Sequence, residues 1–110
     1  MPFDKIDIDT ITEKRRESVA KSVHAAGVEE LKKLGEEVFH DSDDPWREEF
    51  FKFIEEHRNC TIYHAIASDG VHMLYCPDKD KGIWFLPGVG KGILSPAGRQ
   101  MMKEAVGGRS

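Results

Sequence analysis

CTIYHAIA (60–67), SDG (68–70), VHMLYC (71–76), PDKDKG (77–82), IWFLP (83–87) and GVGKGILSP (88–96) form the stretch whose reading decides the fold. Three short runs rich in β-branched and aromatic residues are separated by two turn signals. The last run empties through a glycine-rich loop into a helix start. This pattern predicts a three-stranded antiparallel meander handing over to a C-terminal helix. With Asp69-Gly70 as a two-residue turn, facing residues carry numbers that sum to 139, so Cys76 faces Tyr63 and Tyr75 faces His64.

That register sorts the side chains into two faces. One holds Ile62, His64, Ile66, Val71, Met73 and Tyr75; the other holds Thr61, Tyr63, Ala65, Ala67, His72, Leu74 and Cys76. Ile83-Trp84-Phe85-Leu86 adds apolar groups to both. A sheet that is apolar on both sides needs cover on both sides. Helices from the two halves of the chain supply it, or a second copy does, so a homodimer is one of the expected assemblies.

Upstream, Phe3, Ile6 and Ile8 alternate loosely with Asp4, Asp7 and Asp9, as in a short edge strand or a docked arm. Thr10 and Glu13 match a capping box, and helical periodicity follows through Val19, Val23 and Ala26. Gly27 interrupts it before a second apolar set at Val28, Leu31, Leu34 and Val38. A break or kink is expected there, since glycine costs about 1 kcal/mol in a helix interior and Gly35 repeats the cost. Asp44 as N-cap and Pro45 at the first helical position open the most hydrophobic helix, with Trp46, Phe50, Phe53, Ile54 and His57 on one face. Downstream, Ser95-Pro96 starts a helix reaching about Val106, and Gly107-Gly108 ends it. The expected fold is therefore α+β in one domain over 1–110: two or three helices over about 10–58, the meander over about 60–87, and a C-terminal helix over about 96–106.

Composition narrows the function classes. The 110 residues carry a net charge of −4, which argues against nucleic acid, because binding its backbone needs clustered Lys and Arg. No apolar run reaches the roughly 18 residues of a membrane span, and the acidic N-terminus lacks a signal peptide's pattern, so a cytoplasmic protein is expected. Cys60 lies beyond the end of the pairing that holds Cys76, about 10 Å away, too far for a bridge. Both thiols are expected to be reduced.

Four places are candidates for function. The first is the loop Gly88, Gly90, Lys91, Gly92 and Ser95, with Arg99 a turn into the helix; glycines let backbone N–H groups approach a small anion, and the helix start adds positive charge. Walker and dinucleotide signatures fail there, because Phe85, Gly92 and Ile93 occupy the deciding positions. The second is the set His57, Cys60, His64, His72 and Cys76. Its mirrored spacing suggests zinc, but the register puts Cys60 and His64 on one face and His72 and Cys76 on the other, so no metal site and no cofactor are expected. The third is acid–base chemistry by His64 and Tyr75, placed opposite each other. The fourth is an apolar surface of Phe51, Tyr63, Leu74 and Trp84 that takes another protein or a second copy. A non-catalytic interaction or regulatory module is the leading expectation, with anion binding at the glycine loop as the alternative.

Overall fold

The computed structural model describes residues 13–40, 45–86 and 90–108. The arm at 1–9, the Thr10 cap, the Asp41–Asp44 loop and cap, Gly88, and the last two residues lie outside the described residues. The chain runs α1 (Glu13–Ser22), β1 (His24–Ala26), α2 (Val28–Val38), α3 (Pro45–Glu56), β2 (Ile62–Ile66), β3 (His72–Cys76), β4 (Lys81–Leu86), β5 (Gly90–Ile93) and α4 (Pro96–Gly107). The α+β class holds. The sheet, however, has five antiparallel strands in sequence order rather than three.

Both additional strands lie at sheet edges. The helical pattern through Ala26 stops at Ser22, because the chain then pairs with β2: His24 opposite His64 and Ala26 opposite Ile62. Two serines of α1 complete that junction. The Ser22 hydroxyl accepts from the Ile66 N–H at 2.8 Å and donates to the Ile66 carbonyl at 3.0 Å, and the Ser18 hydroxyl accepts from the Ser68 N–H at 2.8 Å. The hydroxyl of Ser22 thus does for β2 what another strand residue would have done. At the far edge, the stretch expected to be a glycine loop pairs with β4, Gly92 opposite Trp84. A Cβ at Gly92 would stand 2.8 Å from the Trp84 indole nitrogen, so glycine here makes room for a ring.

The β2–β3 register differs by one residue from the expected one. Tyr63 faces Tyr75 and His64 faces Leu74. The loop holds three residues, not two: the Ala67 N–H donates to the Val71 carbonyl at 2.8 Å, and the Gly70 N–H to the Ala67 carbonyl at 2.9 Å. Gly70, at φ +91°, supplies the left-handed residue that ends such a loop. A one-residue slip exchanges the faces of every partner residue.

The consequence is two cores, one on each side of the sheet. Val19 and Val23 from the α1 end and Met101, Met102 and Ala105 of α4 close over Ala65, Met73 and Tyr75. On the other face Leu31 of α2 and Phe50, Phe53 and Ile54 of α3 close over Ile62, Leu74 and Phe85. Each fully buried large aliphatic or aromatic side chain stabilises by about 1.5–3 kcal/mol. Gly35 belongs to this packing: a Cβ there would lie 2.7 Å from the rings of both Phe50 and Phe51. Helices of the same chain cover both sheet faces, so the apolar sheet does not itself call for a second copy. Among the described residues, no helix is long and apolar enough to cross a membrane.

Candidate functional site

The slipped register rearranges the sequence candidates. Even-numbered residues of β2 and β3 now share the α2/α3 face, so His64 and His72 come together while Tyr75 goes to the opposite face. His64 Nε2 and His72 Nδ1 are 3.0 Å apart. Their ring planes agree to within 3° with centroids 5.2 Å apart, so the rings lie side by side and share one in-plane N–H···N bond. The far ring of this pair, His72, stacks on Phe85 with centroids 4.8 Å apart. The reason given from the sequence against a metal site, ligands on opposite faces, therefore falls.

β1 brings a third imidazole to the row. The His24 ring meets that of His64 edge-on, centroids 5.4 Å apart. His24 Nε2 lies 2.6 Å from Oε2 of Glu30, and its Nδ1 lies 3.1 Å from the Ser22 carbonyl oxygen. Both contacts are with acceptors, so the ring meets both by donating from each nitrogen. Strand β1, the turn at Gly27 and the first turn of α2 place these two residues, since α2 starts immediately after β1 and projects its third residue back over the strand. Ligand atoms of His24, Glu30 and His64 all lie within 4.8 Å of one another.

The environment grades from dry to wet. His64 is 6% exposed, and burial, with His72 and His24 beside it, pushes its pKa down to about 4. Burial lowers that of His72 as well. Near neutral pH His64 therefore presents a neutral ring with one N–H and one lone pair. Glu30 and His24 reach solvent, and Glu30 and His64 help line a cleft of about 280 Å³ together with Leu31, Lys33, Leu34 and Glu37. Ser22 meets His24 through its carbonyl, its hydroxyl being committed to Ile66, so it is not poised as a nucleophile.

The other candidates separate. Tyr75 donates to Asp80 Oδ1 at 2.6 Å on the face opposite His64, and burial together with this bond raises its pKa to about 12, so His64 and Tyr75 do not form the proposed pair. Gly90, Lys91 and Gly92 lie in β5, with Lys91 Nζ 4.0 Å from the Trp46 ring centroid on the α3 side. Arg99 lies on the α4 side, donating to the Leu94 carbonyl at 2.8 Å and sitting 3.6 Å from Asp80 Oδ2. The Ser95 hydroxyl is taken up capping α4, accepting from the Gly98 N–H at 3.1 Å. The two cations of the anion reading thus stand on opposite faces of the sheet. Of the apolar surface set, Leu74 is wholly buried; Tyr63 and Trp84 pack with the α1/α4 core and Phe51 with the other, so they form no single patch. Cys60 and Cys76 are free, yet not distant as expected: a hydrogen bond between their side chains is the main cause raising the Cys60 pKa.

Sequence reasoning missed His24 and Glu30. His24 sat inside an apparent helical period, and Glu30 looked like an ordinary acidic residue of a helix start. A usable signal was Gly27, which ends one element and opens the next with only His24-Ala25-Ala26 between Val23 and itself. Comparison with protein-family models, with curated proteins and with solved structures gave no match, so the functional reading rests on this geometry.

Proposed function

We propose that this protein is a small non-catalytic regulatory module that responds to a ligand bound at the histidine row of β1, β2 and β3. One observation carries the reading: His24, Glu30 and His64 bring ligand atoms within 4.8 Å of one another, His72 bonds to His64, and Glu30 and His64 line a cleft. Buried polar groups cost stability unless partnered, and this sheet places a histidine where Leu or Val would pack more cheaply. The arrangement pairs ligand-binding groups without a nucleophile beside them, which favours binding over turnover.

The reading is tested by following the imidazole ¹⁵N resonances while titrating divalent metals, phosphates, carboxylates and amines. Supporting behaviour is that one member of this panel shifts the His24 and His64 signals and raises the melting temperature, and that His64→Gln removes both effects. If every panel member leaves the imidazoles unchanged, the reading fails.

A second reading has its own observation. Ile93 is 78% exposed on the edge strand β5, beside Ile83 of β4. An outer edge with no pairing strand among the described residues and an exposed Ile is a site for self-association, which retains the homodimer or protein-partner expectation at a different surface. Light scattering on the full chain and on Ile93→Lys tests it; a monomeric mass for both at high concentration rules it out.

A further inference from the structure

Resting on the reading above, we infer that the ligand of the histidine row is a divalent transition-metal ion held by His24 Nε2, Glu30 and His64 Nδ1. Two imidazoles and one carboxylate are a donor set that first-row ions such as Zn²⁺, Ni²⁺ and Co²⁺ accept, with remaining positions open to water or a ligand. One ligand atom from each of His24, Glu30 and His64 already lies within 4.8 Å of the other two, and the residues come from β1, α2 and β2. On a tetrahedral ion with bonds near 2.0 Å, ligand atoms stand about 3.3 Å apart. Reaching that geometry requires the 2.6 Å His24–Glu30 contact to open and the wider gaps to close. Both side chains that must move are substantially exposed, 40% and 54%, so the adjustment is one of rotamers.

The outer partners that a metal-binding histidine needs are in place for both rings. Ligating imidazoles donate their other N–H to a carbonyl, carboxylate or similar acceptor, which fixes ring orientation and tautomer. His24 has this through Nδ1 and the Ser22 carbonyl at 3.1 Å, leaving Nε2 toward the cluster. His64 has it through Nε2 and His72 Nδ1 at 3.0 Å, which leaves the Nδ1 lone pair on the other side of the ring. His72 is thus a positioning residue, itself held by its stack on Phe85. The ion replaces the proton that His24 Nε2 shares with Glu30, and that proton leaves to solvent. Glu30 supplies the negative charge, and Glu37 and Lys33 also line the cleft.

Calorimetric titration of the chelator-treated full chain with Zn²⁺, alongside Co²⁺ absorption spectra, tests the inference. The expected result is one ion per chain with a low-symmetry Co²⁺ spectrum. Glu30→Gln and His24→Gln, both at exposed positions, are expected to fold and to lower affinity by at least the roughly 10–100-fold that loss of an outer-shell partner costs. His72→Phe is expected to lower it within that range, and Cys60→Ser to leave it unchanged. Zn²⁺ binding that survives both Glu30→Gln and His24→Gln, or that follows Cys60, overturns the assignment. If another panel ligand shifts the imidazoles while millimolar metal does not, the metal inference falls and the regulatory reading stands. If neither metal nor panel ligand acts, both fall.

Discussion

Tyr63 and Tyr75 stand opposite each other across β2 and β3, both on the face that α1 and α4 cover. That one pairing sets the positions of His64, His72 and Leu74 on the other face. It rests on a three-residue loop closed by Gly70 at φ +91°. Gly70→Ala is expected to destabilise the fold by about 1–2 kcal/mol, because a Cβ is costly in the left-handed region. Gly70→Asn is expected to lose less. Urea denaturation measures both, and an unchanged midpoint for Gly70→Ala would sink the loop assignment.

The buried His64 makes stability depend on pH in a definite direction. Its folded pKa is about 4 against 6.5 when unfolded, so the neutral ring belongs to the native state. Stability is therefore complete above pH 6.5 and falls as the unfolded chain takes up a proton between 6.5 and 4, by about 3 kcal/mol in all. His72, shifted in the same direction, steepens the loss. Denaturation midpoints between pH 7 and about 5, above most carboxylate titration, should decline in the native chain and decline less in His64→Gln. A flat profile in the native chain would contradict the burial of that ring.

The Tyr75 hydroxyl and Asp80 form a second coupled pair at the β3–β4 turn, 2.6 Å apart, with Asp80 held at φ +50°. That bond is the first cause keeping the Asp80 carboxyl below its ordinary pKa. Tyr75→Phe should let it rise, which carboxyl ¹³C shifts against pH would follow. The variant should also be less stable, because it loses a hydrogen bond to a charged group. If the Asp80 midpoint is the same with and without the hydroxyl, the bond is not formed in solution.

Gly35 separates helix propensity from packing. By propensity alone, Gly35→Ala in the middle of α2 should stabilise by nearly 1 kcal/mol. The structure predicts the opposite, because the new Cβ would lie 2.7 Å from the rings of Phe50, which is buried, and Phe51. A lower melting temperature for Gly35→Ala is the expected outcome; a higher one would mean that α2 and α3 do not cross there.

Taken alone, the sequence determined the elements whose signals are local. The Pro45 and Ser95-Pro96 starts, the apolar faces of α3 and α4, and the runs of β2, β3 and β4 all follow from capping chemistry and periodicity within a few residues. It also established that both sheet faces are apolar. Tertiary structure decided what depends on a partner. His24–Ala26 and Gly90–Ile93 have little strand propensity and become strands because β2 and β4 offer open edges. The β2–β3 register turned on whether Asp69-Gly70 or Ser68-Asp69-Gly70 closes the loop, a matter of two backbone hydrogen bonds that the residue types permit either way. The histidine row depends on that register, since a one-residue slip exchanges faces. Its members come from β1, α2, β2 and β3, and no spacing along the chain records a meeting made across four elements.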